Sequence, residues 1–252
     1  MTRQDPAAPA GDAAGSPMPG GTVTFLLTDI EGSTRMWEAH PAAMKDALER
    51  HNACIRTAVE RHDGTVVKSR GEGDSFFAVF ASAVDAVEAA AACQRRLLAG
   101  SWPAGIAIRV RMALHTGEAD LRDGEYHGNA AINRCARVRG AAHGGQVLVT
   151  KATRDLVFPY LGGGLGLEDL GEHRLRDIVE RERIYQLTHP DLPREFGPIS
   201  TLDRRRDNLP AETTSFIGRG DELAEAGEIL SRTRILTLTC LLYTSPSPRD
   251  RG

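Results

Sequence analysis

Two aspartates lie where apolar segments of the chain end or begin. Asp29 falls near the end of the mostly apolar run Thr22–Ile30, and Asp74 immediately precedes the apolar run Ser75–Phe80. Two carboxylates that meet without a partner repel each other, which raises a pKa, and a divalent cation removes that cost. Oxygen ligands favour Mg²⁺ or Mn²⁺ over zinc. Two such ions, about 3.5–4 Å apart, can activate an attacking oxygen and stabilise a leaving phosphate, so the pair predicts metal-assisted phosphoryl chemistry.

The surrounding pattern predicts that these carboxylates meet. Apolar residues recur on one helical face after Pro41 and again over Ala83–Ala99, whereas Ile106–Leu114 alternates apolar and polar residues like a strand. Three further segments read as strands: Thr22–Ile30, Thr65–Lys68 and Ser75–Phe80. The resulting order βαββαβ is the ferredoxin-like α+β palm. Its first and third strands are adjacent and antiparallel, so Asp29 and Asp74 should project from one edge of the sheet.

Each aspartate taken alone has a simpler interpretation. Asp29 could cap the following helix, and Asp74 could serve the turn RGEGD between two strands. The predicted convergence favours the metal site over these alternatives. The segment Glu31-Gly32-Ser33-Thr34 follows Asp29 and supplies a small turn whose backbone N–H groups could cradle phosphates.

Composition and charge exclude several classes of protein. Lys and Arg number 31 against 34 Asp and Glu, a net charge of −3 that argues against a large basic surface for nucleic acid. No segment approaches the roughly 20 apolar residues of a membrane span, and the N-terminus lacks a signal-peptide pattern. The four cysteines are scattered without a CxxC pair, which is typical of reduced core cysteines. We therefore expect a cytoplasmic protein with no direct binding to nucleic acid or membrane.

The pattern also predicts a division into segments. Residues 1–20, rich in Pro, Ala and Gly, should be a disordered tail. The folded domain should cover 21–190 and continue through a helix over roughly 129–142, a strand at Gln146–Thr150, a short helix, and a strand pair at Glu172–Leu175 and Glu182–Leu187. Residues 191–212 carry several prolines and the Arg204-Arg205-Arg206 run, so we expect a linker there.

Four ordered blocks carry most of the motifs: FLLTDIEGST (25–34), GEGDSFFAVF (71–80), RMALHTGEADLRDGEY (111–126) and INRCARVRGAAHGGQVLVT (132–150). Together they resemble the class III adenylate/guanylate cyclases, most of all the actinobacterial branch in which the cyclase precedes an ATPase and a LuxR-type regulator. GEGDSF alone also resembles the hairpin of diguanylate cyclases, which have a related palm fold. The NRCAR segment separates the two families.

The resemblance implies roles by position. Asp29 and Asp74 match the two metal-binding aspartates, with Ile30 completing the metal set. Asn133 and Arg137 match the pair that orients the ribose and stabilises the pentavalent phosphorus, and their i, i+4 spacing places both on one helix face. A permanently ionised, forked arginine suits charge that develops on phosphoryl oxygens. The alternative for Asn133 and Arg137 is an ordinary polar pair on the surface.

The resemblance also implies a reaction and an assembly. The ribose 3′-oxygen of a nucleoside triphosphate would attack the α-phosphorus, giving a 3′,5′-cyclic monophosphate and pyrophosphate for intracellular signalling. Two Mg²⁺ or Mn²⁺ ions would serve each site. Because the family draws the metal aspartates and the Asn–Arg pair from opposite subunits, the implied active form is a head-to-tail homodimer. ATP is favoured over GTP by its frequency in the family.

The positions that select the purine depart from the family pattern. The family has a Lys four positions before the second metal Asp and an Asp seven before the Asn, where this chain has Arg70 and Tyr126. Lys68 and Glu125 could take these roles only if the loops shift by two residues and by one residue. The candidate substrate contacts are Gly32, Ser33, Thr34, Lys68, Arg70 and Glu125.

The C-terminal segment resembles the start of a second domain. Thr214–Thr239 is similar to the beginning of signal-transduction ATPases, but no GK[ST] phosphate loop follows. We therefore expect a truncated ATPase start at 213–239 and a non-native tail at 240–252, with poor order over Ile235–Leu242. The leading hypothesis is a purine nucleotide cyclase. The alternative, favoured by the purine positions, is a catalytically weak domain that binds nucleotide or dimerises to regulate a downstream ATPase and transcription-factor module.

Overall fold

A seven-stranded sheet organises the first of two compact units, Met1–Arg205 and Arg206–Gly252. The computed structural model describes residues 18–67, 74–123, 125–127, 130–203, 220–233 and 236–237. The strands are β1 Gly21–Ile30, β2 Thr65–Val67, β3 Phe77–Phe80, β4 Val110–Ala119, β5 Leu121–Arg122, β6 Glu125–Tyr126, β7 Val147–Thr150, β8 Gly166–His173 and β9 Glu182–Thr188. The helices are α1 Ser33–Ala39, α2 Pro41–Glu60, α3 Ala83–Ala99, α4 Ala130–Ala141, α5 Lys151–Val157 and α6 Gly220–Arg232, with a 3₁₀ turn at Phe158–Tyr160. Among the described elements, α6 alone belongs to the second unit.

The sheet has the order β2-β3-β1-β4-β7-β9-β8, with β5 and β6 forming a separate short hairpin. β1 is central and pairs antiparallel with both β3 and β4, while β4 and β7 are parallel. The succession β1, α2, β2, β3, α3, β4 is the predicted βαββαβ core, so the α+β, ferredoxin-like fold is confirmed.

Helices cover both faces of the sheet and bury two apolar clusters. Alternate residues of β1 point to opposite faces, so Leu26 joins the cluster under α2 and α3, whereas Phe25 joins the cluster under α4. Both side chains are fully buried. Ser82 caps the N-terminus of α3, because its hydroxyl accepts a hydrogen bond from the backbone N–H of Asp85. The sheet is therefore a rigid platform, and its strand ends are where polar side chains can reach solvent.

Three element boundaries differ from the sequence prediction. A short helix, α1, follows Gly32, whose φ of 70° turns the chain out of β1. β4 begins at Val110, because its pairing with β1 starts there. Ile106 and Ile108, which the sequence assigned to the same strand, are buried in the cluster under α2 and α3 without joining a strand. β8 begins earlier than predicted, because its long antiparallel pairing with β9 starts at Gly166.

Residues 191–203, which we call the strap, pack against the domain, whereas the sequence predicted a linker. Leu192 and Ile199 are buried. The ring of His143 stacks on Phe196, with centroids 6.2 Å apart, and its Nε2 lies 3.0 Å from the carbonyl oxygen of Gly197. Proline-rich composition suggested free chain, but two apolar anchors and satisfied main-chain groups hold the strap in place.

The glutamine ladder beneath the strap adds a second attachment. Gln146 Nε2 donates to Gln186 Oε1 at 2.6 Å, and Gln186 Nε2 donates to the carbonyl oxygen of Arg194 at 2.8 Å. Both glutamines are buried. Because buried amides are costly when unpaired, this ladder favours the strap in its observed position.

The ends of the chain are only partly described. Met18 packs on the cluster under α4, and Pro19 accepts a hydrogen bond from Tyr126, so the last residues of the predicted tail contact the domain. Residues 1–17 and all but two residues of the predicted strand Ile235–Leu242 lie outside the described residues. In the part of the chain that the structure describes, no helix combines the length and apolarity needed to cross a membrane.

A chain of hydroxyl groups lies buried around the ends of β1, β4 and β7. The hydroxyl of Thr24 lies 2.8 Å from that of Thr116, which lies 3.0 Å from that of Thr153. Thr150 lies 3.5 Å from Thr153 and 2.8 Å from Nδ1 of His115. Burial, together with the positive charge of Arg134, lowers the pKa of His115 to about 4. The network therefore requires His115 to be neutral.

This network predicts a pH-dependent stability. The folded pKa of about 4 lies below the ordinary histidine pKa of 6.5, so the unfolded chain binds more protons between these values. Stability from this group is therefore present above pH 6.5 and lost as the pH falls towards 4. Between neutral and mildly acidic pH, wild type should lose about 2–3 kcal/mol relative to His115→Asn in urea unfolding. An unfolding free-energy difference that does not change with pH would contradict this.

Candidate active site

Three polar side chains form a row across β3, β1 and β4. The β1–β4 register places Asp29 opposite Arg111, and Arg111 Nη2 donates to Asp29 Oδ2. On the other side, Ser75 Oγ donates to Asp29 Oδ1 at 3.3 Å. The Asp29 and Arg111 side chains are 20% and 28% exposed. Asp29 is thus held from both sides at the end of β1 while its carboxylate remains open to solvent.

Thr28 aligns the segment that carries the second aspartate. The backbone N–H of Thr28 donates to the carbonyl of Phe76 at 2.9 Å, and the N–H of Phe76 donates to the Thr28 hydroxyl at 3.2 Å. These bonds and the contact between Ser75 and Asp29 extend the alignment of the two segments beyond Leu27 and Phe77, so Ser75 and the adjacent Asp74 lie beside the end of β1. The two aspartates therefore lie at one edge of the sheet, as the fold predicts; their role as metal ligands stays a prediction.

The donor set at this edge is small and consists of oxygens. Within the described ranges, no group of three or more His, Cys, Asp or Glu side chains converges on one point. Ile30 is buried, so it can offer only its carbonyl oxygen. Asp74 is partly buried, and its charge partly offsets the burial that lowers the pKa of His51 on α2. Two carboxylates and a carbonyl fit a hard cation that keeps several water ligands, as Mg²⁺ does.

The turn after Asp29 is fixed by the loop between α4 and β7. The N–H of Glu31 donates to the carbonyl of Arg109 at 2.9 Å, and Glu31 Oε1 accepts from the N–H of Gly144 at 3.1 Å. Gly32 has a φ of 70°, which few other residues adopt. Ser33 and Thr34 then begin α1. The tight turn predicted after Asp29 is therefore present, with the Glu31 carboxylate bound to the N–H of Gly144, while its role in cradling phosphates stays a prediction.

Asn133 and Arg137 lie on one exposed face of α4, as their spacing predicted. Arg137 Nη2 donates to Asp177 Oδ2 at 2.5 Å, in the turn between β8 and β9. A different α4 arginine reaches the site: Arg139 Nη1 donates to the carbonyl of Thr28 at 3.4 Å. Within one protomer, the Arg137 guanidinium is thus directed away from Asp29.

Sequence reasoning missed Arg111 and Arg139 as neighbours of the predicted metal site. Arg111 was visible as a polar residue on the outer face of the alternating segment, which is a weak signal because most such residues are only solvated. What made it a site residue is its register opposite Asp29, a relation between strands that lie far apart in sequence. Arg139 could not be found from the sequence either, because its proximity to the site depends on how α4 packs on β1.

Tyr126, at a position where the family reads the purine, belongs to the core. It is 6% exposed, and its ring packs against Phe25 and Phe77 with centroids 5.8 and 5.9 Å away. Its hydroxyl donates to the carbonyl of Pro19 at 2.6 Å, and burial raises the pKa of Tyr126 to about 12. Tyr126 is therefore unavailable to a base, while its neighbour Glu125 is exposed. Lys68 and Arg70 lie outside the described residues.

A cavity of about 830 Å³ lies elsewhere, between the strap and the β8–β9 pair. It is lined by residues such as His173, Gln186 and Phe196, and by none of the predicted site residues. The polar groups named here already have partners: His173 contacts Leu170, and Gln186 belongs to the glutamine ladder. The cavity is separate from the Asp29 row.

Comparison with known protein families identifies what this arrangement belongs to. Residues 17–188 match the adenylate and guanylate cyclase catalytic domain family. The chain belongs to this family. It is a nucleotide cyclase, a lyase.

Relatives of the cyclase include an uncharacterized protein and a receptor-type adenylate cyclase. The uncharacterized protein Rv0891c of Mycobacterium tuberculosis is 42% identical over 207 residues, covering 82% of this chain and 70% of that protein. The receptor-type adenylate cyclase GRESAG 4.3 of Trypanosoma brucei brucei is 30% identical, covering 93% of this chain and 22% of its own length.

Solved structures share the cyclase fold. An adenylate cyclase from Trypanosoma brucei, determined in its monomeric state, has a TM-score of 0.62 at 31% identity and covers 75% of this chain and 97% of its own. The guanylate cyclase domain of RhGC from Catenaria anguillulae, in complex with GTP, has a TM-score of 0.58 at 17% identity, covering 67% of this chain and 97% of its own, which shows the fold alone.

The contact at Gly144 generates a prediction for the turn after Asp29. A Cβ added there would lie 2.6 Å from Arg109 Cβ and 2.7 Å from Glu31 Oε2, so the turn must shift. Gly144→Ala should cost about 1–3 kcal/mol in thermal unfolding and reduce turnover, because Asp29 lies two residues before Glu31. Gly162→Ala is the matched control, since a Cβ there meets nothing within 4 Å. Equal melting temperatures for both variants would argue against a constrained turn.

Proposed function

We propose that the protein is a Mg²⁺- or Mn²⁺-dependent cyclase that converts a nucleoside triphosphate, ATP in preference to GTP, into its 3′,5′-cyclic monophosphate and pyrophosphate. The observation that carries the proposal is the open carboxylate of Asp29, held between Ser75 and Arg111 with Asp74 at the same sheet edge. Membership of the cyclase family gives that arrangement its chemistry.

The proposed metal ligands are Asp29, Asp74 and the carbonyl oxygen of Ile30. Bound there, two divalent ions would activate the ribose 3′-oxygen and stabilise the charge on the phosphate oxygens. Arg111 limits the repulsion between the two carboxylates, because its guanidinium already contacts Asp29. The same cation, partly exposed, is well placed to attract the triphosphate.

The remaining substrate contacts are proposed from the turn and the resemblance together. Gly32, Ser33 and Thr34 form the tight turn and the start of α1 directly after the metal segment, where backbone N–H groups are free of helical partners. Lys68, Arg70 and Glu125 are proposed as contacts to the base by resemblance. Preference for ATP is supported by the relatives named adenylate cyclases, of which the Trypanosoma proteins are about 30% identical to this chain.

We propose a head-to-tail homodimer with shared sites, and the direction of Arg137 supports it. Arg137 pairs with Asp177 of its own protomer, which lies in the turn between β8 and β9. β9 lies three strands from β1 in the sheet, a lateral separation of about 14 Å at ordinary strand spacing. The strand directions also place the β8–β9 turn at the end of the sheet opposite Asp29. Asn133 and Arg137 therefore need a second protomer to meet a nucleotide at a metal site.

The setting of the enzyme is proposed more broadly as intracellular signalling in the cytoplasm. The similarity of Thr214–Thr239 to the start of a signal-transduction ATPase supports a larger regulator with ATPase and LuxR-type parts. The second candidate function is a catalytically weak domain that binds nucleotide or dimerises. The burial of Tyr126 at a purine-selecting position favours it.

Turnover tests the cyclase proposal directly. The full chain incubated with Mn-ATP or Mn-GTP should release cyclic nucleotide and pyrophosphate, with ATP the better substrate. Asp29→Asn and Arg137→Ala should each abolish this activity. Mixed together, they should recover about a quarter of it, because half of the random dimers then hold one intact site of two.

Asp155→Asn is the matched control for this experiment, because Asp155 is an exposed carboxylate that pairs only with Lys151 and Arg154. It should retain wild-type turnover. If a demonstrably dimeric wild type formed no cyclic product, the cyclase proposal would be wrong and the second candidate function, a catalytically weak domain, would remain. Inactive single variants that recover no activity on mixing would contradict shared sites, and full activity in either variant alone would contradict the role of the substituted residue.

Base selection should be insensitive to the Tyr126 hydroxyl. Tyr126→Phe removes the hydrogen bond to Pro19 and should lower stability by about 1 kcal/mol. The ratio of kcat/KM for ATP and GTP should stay within about twofold of wild type, since 1.4 kcal/mol of discrimination would change it tenfold. A larger change in that ratio would show that the hydroxyl reads the base.

A further inference from the structure

We propose that Asp177 is a positioning residue that orients Arg137 towards the nucleotide held by the partner protomer. This inference rests on the proposed cyclase with shared sites and names a residue that the family resemblance does not assign. The observation behind the proposal is an ion pair between α4 and the β8–β9 turn, in which Arg137 Nη2 lies 2.5 Å from Asp177 Oδ2.

The pair orders a side chain that would otherwise be free. The Arg137 side chain is 44% exposed on the outer face of α4. A solvent-exposed arginine samples many rotamers, and it loses much of that side-chain entropy when it binds a phosphate. A carboxylate that restricts those rotamers beforehand lowers the entropy lost at the moment of reaction.

Asp177 is itself held rigidly, which a positioning residue requires. It adopts a left-handed φ of 61°, a region that Asp and Asn tolerate better than most residues. On one side of it Leu175 is buried, and on the other Ile178 packs on the cluster under α4. The N–H of Ile178 donates to the carbonyl of Leu175 at 3.3 Å, which closes the turn around Asp177.

The strap fixes the same turn from outside. The N–H of Arg174 donates to Asp203 Oδ2 at 2.6 Å, and the N–H of Leu202 donates to the carbonyl of Arg174 at 2.9 Å. Arg181, on the other arm of the turn, also contacts Asp203, at 3.1 Å. Both arms of the β8–β9 turn are therefore tied to the strap, and Asp177 lies between them.

The contact leaves Arg137 free to act. Among the described residues, Arg137 is engaged through Nη2 alone, so the other N–H groups of the guanidinium remain available to phosphoryl oxygens. A bidentate pair would occupy the edge that phosphate needs. The single contact thus orients the cation while most of its donor capacity stays open to a partner.

The test is Asp177→Asn in the full chain, which removes the charge and keeps a residue that tolerates the left-handed backbone. We expect kcat to fall about fivefold, the effect of losing an exposed ion pair at the transition state, with KM changed less than about twofold. Asp177→Glu, which restores the carboxylate, should recover at least half of the lost activity. The melting temperature should stay close to that of wild type for Asp177→Asn.

A second readout does not depend on turnover. In ¹⁵N-arginine NMR of wild type and Asp177→Asn, with the Arg137 Nε signal assigned by its absence from Arg137→Lys, the order parameter should fall from about 0.8 to below about 0.6. Asp169→Asn is the matched control, because Asp169 is an exposed β8 carboxylate that pairs with Arg183 instead. It should change neither kcat nor the Arg137 signal.

The outcomes separate the two proposals. A wild-type kcat or an unchanged Arg137 order parameter in Asp177→Asn, with active wild type, overturns the role of Asp177 and leaves the cyclase intact. A rise in kcat overturns it too, since Asp177 would then restrain Arg137. Absence of cyclic product from wild type overturns the proposed function itself.

Discussion

The pairing of β1 with β4 is the constraint on which the rest of the structure depends. Ten consecutive residue pairs, from Gly21 with Ala119 to Ile30 with Val110, join these strands. Strand side chains alternate between faces, so a slip of one residue would move Asp29 to the other side of the sheet and separate it from Arg111. The same slip would remove Phe25 and Leu27 from the cluster under α4. Burying the apolar residues of β1 in their clusters and placing the Asp29 carboxylate beside Arg111 are therefore one and the same choice of register.

The cations around Asp29 follow from that register and from the packing of α4. Arg111 reaches the carboxylate from β4, and Arg139 reaches the neighbouring carbonyl of Thr28 from α4. The strand end would otherwise concentrate negative charge, which opposes both folding and the approach of a triphosphate. Arg137, two residues before Arg139, faces another way because one turn of helix is 3.6 residues. One helix thus supplies a cation to its own protomer and presents another outward.

What the sequence could predict was set by local spacing. The βαββαβ order followed from periodicity, and the shared exposed face of Asn133 and Arg137 followed from their separation along one helix. Arg111 could not be singled out, because its meaning lies in a partner strand. Tyr126 was expected near a base from its count before Asn133, but an aromatic ring between Phe25 and Phe77 is held by apolar burial. The sequence did not predict that the strap packs against the domain. Composition describes how a segment behaves in isolation, whereas Ile199 is buried by residues far away in sequence.

The strap also determines where this domain ends. His143 contacts the strap, the N–H of the adjacent Gly144 donates to Glu31, and Glu31 lies two residues after Asp29. The outgoing chain is therefore connected to the Asp29 segment through a short series of contacts. A fragment cut after β9 would remove Phe196 from the His143 ring and the carbonyl of Arg194 from Gln186. The smallest piece that preserves these contacts extends through Asp203. Expression of a shorter fragment would therefore test a different molecule, one in which the turn after Asp29 has lost its outer support.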